Sequence, residues 1–90
     1  MGATPEEQAR LAKQIKDAES KVTVGAKYSH YKSSSNIYTV LALGFVESNL
    51  ELCVIYRAEY AKRLTFIRPL SVWLETVDWN GQQVARFTKL

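Results

Sequence analysis

Four short phrases in this chain set an aromatic ring beside a cation: Tyr28-Ser29-His30-Tyr31-Lys32, Val54-Ile55-Tyr56-Arg57, Phe66-Ile67-Arg68-Pro69-Leu70 and Val84-Ala85-Arg86-Phe87. The chemistry they support is recognition. A guanidinium or ammonium beside a ring stacks on a base, holds a carboxylate, or bonds backbone carbonyls at the end of a small barrel. Covalent chemistry has thinner support. His30 is the single histidine, so acid–base work near neutral pH falls to one imidazole with no partner set around it; it reads first as a structural hydrogen-bonding residue and second as part of a binding surface. Cys53, the sole cysteine, sits in the apolar run Leu52-Cys53-Val54-Ile55, where burial raises a thiol pKa and a small hydrophobic side chain fits. Glu47, Glu51, Glu59, Glu75 and Asp78 fall in turns or at strand ends and form no acid–base pair. With one His and one Cys they match no metal-ligand spacing. The glycines at positions 2, 25, 44 and 81 are too scattered for a phosphate-binding loop. The residues therefore predict no cofactor, no metal and no enzymatic activity.

Ninety residues hold one core. At 47% hydrophobic and 23% charged, the composition is that of a folded domain and not of a disordered chain. The longest apolar stretch, Val40 to Val46, falls far short of the roughly 18 residues that a membrane-spanning helix needs. The net charge of +3 is unevenly placed: residues 1–24 balance four cations with four anions, whereas residues 25–90 carry eight cations against five anions. This excess permits nucleic acid or acidic peptides as partners without forming the dense Lys/Arg stripe of a dedicated nucleic-acid binder. A single cysteine allows no internal disulfide, and the early Glu6 and Glu7 with no apolar run beside them do not read as a signal segment. A cytoplasmic location is expected.

Two kinds of element must position these side chains. Residues 4–20 predict a helix, with Thr4 as N-cap, Pro5 in the first turn and Glu7 closing a T-x-x-E capping box. Its apolar stripe of Leu11, Ile15, Ala18 and Val22 is thin, which predicts loose docking or packing on a partner. From Gly25 the pattern turns to β, with strands expected at 27–31, 36–46, 51–58, 63–68 and 83–88 and a polar turn at Ser33-Ser34-Ser35-Asn36. A hairpin through Ser48-Asn49 pairs Phe45 with Leu52, Leu43 with Val54 and Leu41 with Tyr56. Gly44 is expected to mark a bulge or corner. Leu70, Trp73, Leu74 and Val77 follow helical spacing after Pro69, predicting a helical turn that ends by Leu74. Asn80-Gly81 predicts a type I′ hairpin that pairs Val77 with Val84 and Glu75 with Arg86. The expected fold is mainly β: a small SH3-like barrel or roll of about five strands, with a capped N-terminal helix and one short helical turn.

Taken together, K-Y-S-H-Y-K at 27–32, I-Y-T-V-L at 37–41, V-I-Y-R-A-E-Y at 54–60, I-R-P-L at 67–70, L-E-T-V at 74–77 and V-A-R-F at 84–87 resemble the family named domain of unknown function 1653. The resemblance covers roughly residues 25–90 and implies a compact SH3-type barrel with no established activity. Residues 1–24 lie outside it as an N-terminal helical extension. Three positions depart from the family's pattern: Ala61-Lys62-Arg63 replaces a Gly-rich loop, Phe66 stands where Trp is more typical, and Val72-Trp73 replaces a Met-Phe pair.

The functional expectation is a non-catalytic interaction module that holds a peptide or protein partner on an aromatic and basic face of Tyr28, His30, Tyr31, Lys32, Tyr56, Arg57, Arg68 and Trp73. The alternative is binding of single-stranded RNA through the same face, with Lys62, Arg63, Arg86 and Lys89 adding phosphate contacts. No membrane partner is expected.

Overall fold

The computed structural model describes residues 3–90, so that Gly2 lies outside the described residues. Helix α1 spans Pro5–Glu19. Its start is the expected capping box: the Glu7 N–H donates to Thr4 Oγ1 at 3.2 Å and the Thr4 N–H donates to Glu7 Oε1 at 2.9 Å. The Thr4 backbone N–H, and after it the Thr4 side chain, hold the Glu7 carboxyl below its ordinary pKa. Leu11 and Ala18 are buried. Past the helix end, Val22 is fully buried in the main core, which ties the C-terminal end of the helix to the body. A groove of about 370 Å³ separates Gln14, Asp17, Ala18 and Lys21 from Glu51, Leu52, Leu70 and Ser71.

The rest of the chain is mainly β. The strands are β1 (Lys27–His30), β2 (Ser33–Val46), β3 (Glu51–Ala58), β4 (Thr65–Pro69), β5 (Thr76–Trp79), β6 (Gln82–Ala85) and β7 (Phe87–Lys89), with the single helical turn α2 (Leu70–Trp73) between β4 and β5. Five strands form one antiparallel sheet in the order β4-β3-β2-β1-β7, and β5-β6 is a separate hairpin. The strands pair as an open sheet, not a closed barrel. It curls nonetheless: Arg68 on the β4 edge places its Cζ 5.4 Å from the Phe87 ring on the β7 edge.

The expected hairpins hold, with local differences that have physical causes. Phe45 pairs with Leu52 and Leu43 with Val54, but Tyr56 pairs with Val40 because Leu41 is the extra residue of a bulge. A strand alternates faces every residue, so Leu43, two residues after Leu41, needs this extra step to share a face with Val40. The bulge sends Val40 into the core at 0% exposure and leaves Leu41 38% exposed. Gly44 is not the bulge; it pairs with Cys53, where an added Cβ would meet Ile55 Cδ1 at 3.4 Å. The turn between β1 and β2 is Tyr31-Lys32, not Ser33 to Asn36, since His30 pairs with Ser33 and Ser29 with Ile37. Val77 pairs with Val84, and beyond them the Arg86 N–H donates to the Glu75 carbonyl at 3.0 Å. The last expected strand divides at Arg86 into β6 and β7, because its first half belongs to the hairpin and its second half to the main sheet.

The core is a cluster of rings and valines: Val22, Tyr28, Val40, Val54, Tyr56, Trp73 and Phe87. Among the described residues, no helix is long and apolar enough to cross a membrane.

Trp73→Ala removes the only buried side chain of α2 and should cost about 3–5 kcal/mol, measured by urea denaturation. In the 59–64 loop, Ala61 and Arg63 hold positive φ of 52° and 55°, a conformation that glycine adopts without strain. Ala61→Gly relieves about 1–2 kcal/mol of left-handed strain against roughly 0.5–1 kcal/mol of added chain entropy, so a small rise in the urea midpoint is expected.

Candidate binding surface

Three of the eight residues read from the sequence as a contact face are core. Tyr28 is 4% exposed, Tyr56 5% and Trp73 3%. The cause is the ring packing. Trp73 stacks flat on Phe87 with centroids 3.7 Å apart and planes 6° from parallel, while Tyr28 and Tyr56 meet it edge-on at 5.4 and 5.0 Å. Their hydroxyls are satisfied inside: Tyr28 Oη accepts from the Thr23 N–H at 2.9 Å, and Tyr56 Oη accepts from Arg68 Nε at 3.2 Å.

Arg57 is separated from the others. As the neighbour of Tyr56 on β3 it points to the opposite face, where its Nη2 pairs with Glu59 Oε2 at 2.9 Å. Glu59 also accepts from Thr39 Oγ1 and, on its other oxygen, from Arg63. These partners, Thr39 first and then Arg57 and Arg63, hold the Glu59 carboxyl down to about 2.

The remaining four, His30, Tyr31, Lys32 and Arg68, converge at one rim of the core. His30 meets the edge of Phe87 at 5.1 Å and lies 4.5 Å from the Tyr31 ring. Lys32 Nζ stands 5.9 Å from the Tyr31 centroid. Two residues outside the predicted face join them. Trp79, at the tip of the β5–β6 hairpin, meets Tyr31 edge-on at 5.2 Å, and Arg86 places its Cζ 6.0 Å from the same ring. The Asn80-Gly81 turn was the signal for this hairpin, but not for where it would lie. The hydrogen bond from the Tyr31 N–H to the Arg86 carbonyl at 3.1 Å brings its base against the β1–β2 turn. Trp79 remains 40% exposed.

The rim is electrostatically one-sided. Arg86 Nη2 pairs with Glu75 Oε1 at 3.0 Å, whereas Lys32 and Arg68 have no carboxylate partner among the described residues. Burial, followed by the charges of Arg68, Arg86 and Lys32, pushes the His30 pKa down. His30 is therefore neutral at neutral pH, and its Nδ1 accepts from the Lys32 N–H at 3.2 Å. Cys53 lies elsewhere, on the opposite face of the sheet and 3% exposed; burial and then Glu51 push its thiol pKa up. No group of three His, Cys, Asp or Glu side chains among the described residues is placed to hold a metal ion.

The family model "Protein of unknown function (DUF1653)" matches residues 26–89. The chain belongs to the DUF1653 family. A solved relative, the crystal structure of a DUF1653 protein from Bordetella bronchiseptica, superposes with a TM-score of 0.67 at 29% identity, covering 78% of this chain and 90% of that one. No curated protein matches. The DUF1653 match takes in β1 to β7 and the whole rim, and α1 precedes it.

The Glu59 cluster generates a pH test. A carboxyl lowered from 4.5 to about 2 in the fold contributes stability that is fully present above about 4.5 and is lost as the pH falls through about 2. Urea midpoints across that window should decline, and Glu59→Gln should be less stable at pH 7 with a flatter decline below pH 4.5.

Proposed function

We propose that this chain is a non-catalytic binding module that holds a segment of a partner protein on the rim formed by His30, Tyr31, Lys32, Arg68, Trp79 and Arg86. The observation that carries this reading is the Tyr31–Trp79 ring pair at 5.2 Å with two cations about 6 Å from Tyr31. A ring surface beside cations, of which Lys32 has no carboxylate partner among the described residues while Arg86 is paired with Glu75, favours a ligand with an aromatic or proline side chain next to a carboxylate. Supporting it, the cations Lys32 and Arg68 have no carboxylate partner on the described surface, so an incoming acidic group gains their charge without breaking an internal ion pair. We also read the curled sheet as an open SH3-like roll, supported by the approach of Arg68 on one edge to Phe87 on the other. A cytoplasmic setting fits the single cysteine, which is held buried as a thiol.

Single-stranded RNA is the second reading, favoured by the same excess of cations beside rings. The two differ in salt response. RNA affinity falls linearly on a log–log scale with added salt, the slope counting the phosphates neutralised.

The test is an amide NMR titration of the intact chain with an acidic, aromatic peptide and, separately, with a mixed single-stranded RNA pool, each at low and moderate salt. Shifts at residues 30–32, 68, 79 and 86 with the peptide, weakened about tenfold or more by Trp79→Ala, are the expected result. A response confined to RNA with a steep salt slope would replace this reading with the second, and silence from both ligands would remove the rim as a binding site.

A further inference from the structure

A different surface lies on the other side of the sheet from the β1–β7 edge. Strand β4 is an edge strand, paired with β3 alone. The Ala58 N–H donates to the Leu64 carbonyl at 3.0 Å, and the register continues through Tyr56↔Phe66 and Val54↔Arg68. In an antiparallel ladder, hydrogen-bonded and non-hydrogen-bonded pairs alternate. Leu64, Phe66 and Arg68 therefore turn their backbone groups inward to β3, and Thr65 and Ile67 turn theirs outward. Pro69, which has no N–H, ends this outward row.

The side chains around this edge are apolar and uncovered. Leu64 is 58% exposed, Phe66 43%, Ile67 66% and Tyr60 38%. Tyr60, Leu64 and Phe66, with Ala58, line a pocket of about 140 Å³ that also includes Lys62 and Arg63. Tyr60 is fixed as one wall by a 2.6 Å hydrogen bond between its hydroxyl and that of Tyr38. Exposed edges of this kind are templates for an added strand, and natural proteins usually blunt them.

We propose that β4 accepts an extended segment of a partner protein as an added antiparallel strand, with one large apolar side chain seated against Phe66 in the Tyr60–Leu64 pocket and acidic residues on either side of it. The register dictates the pattern. A residue opposite Phe66 shares its face and enters the pocket, while its neighbours exchange backbone hydrogen bonds with Thr65 and Ile67. The residues one step further out fall opposite Arg68 and opposite Leu64, beside Lys62 and Arg63. Charge selects the occupant. Lys62 beside the pocket and Arg68 at the other end of the row have no carboxylate partner among the described residues, so the flanks attract acidic side chains. A second copy of this chain paired antiparallel through Thr65 and Ile67 would set Arg68 of each copy beside Leu64 and Arg63 of the other, opposing like charges.

The probe is the peptide acetyl-Glu-Asp-Val-Phe-Val-Asp-Glu-amide, followed by amide hydrogen exchange and NMR shifts in the intact chain. Bound peptide should slow exchange at Thr65 and Ile67 and shift residues 60–67. A peptide with Lys in place of its acidic residues should bind about tenfold more weakly or less. Ile67→Pro deletes one outward N–H without touching the β3 ladder and should abolish binding. Leu64→Glu, at an exposed position, makes the same test if the proline variant fails to fold. The proposal is overturned if Thr65 and Ile67 are unaffected at about 1 mM peptide, if shifts are confined to residues 30–32, 79 and 86, or if sedimentation shows a dimer in which those two amides are already protected.

Discussion

The flat stack of Trp73 on Phe87 is the contact on which the rest of the molecule depends. It is the point where α2, which carries Trp73, meets β7, which carries Phe87, and Tyr28 and Tyr56 close on it from the neighbouring strands. Because these four rings come from segments far apart in the chain, the stack sets the curl of the sheet. The ring of Phe87, held there, draws Arg68 across from the opposite edge and supports His30 on its outer side. The rim is thus the outer layer of the core, and it is held in place by the core's own packing.

A second constraint is the bulge at Leu41. A long two-stranded ribbon with unbroken alternation would have to choose between burying Val40 and burying Leu43. The extra residue lets both face Trp73's side of the sheet, opposite Tyr56 and Val54. The bulge also lies where β2 passes from pairing with β1 and β3 to pairing with β3 alone, a place where added local twist helps a small sheet curl.

The two faces divide the chemistry. One side of β3 and its neighbours carries the rings and the rim, while the other carries the Thr39–Arg57–Glu59–Arg63 cluster and the buried Cys53. In that cluster one carboxylate satisfies two guanidiniums, so two of the cations counted in the sequence are spent on structure. Arg86 is likewise paired with Glu75, so among residues 25–90 the cations without a carboxylate partner are Lys27, Lys32, Lys62, Arg68 and Lys89.

Local signals were legible in the residues themselves. The Thr4–Glu7 box starts a helix because its bonds are made within four residues, Asn80-Gly81 closes a hairpin because its φ values are positive, and the Phe45–Leu52 register follows from the turn beside it. The family motifs were likewise readable as a string. What the tertiary structure alone decided is which rings are walls and which are surface. Tyr28, Tyr56 and Trp73 carry the same side-chain types as Tyr31 and Trp79, and the meeting of α2 with β7 buries the first three and leaves the others at the rim. A ring's burial depends on contacts with residues distant in the chain, and no local spacing encodes those; for the same reason Arg57, one residue from Tyr56, belongs to the opposite face, and Arg86, tens of residues from Tyr31, belongs beside it.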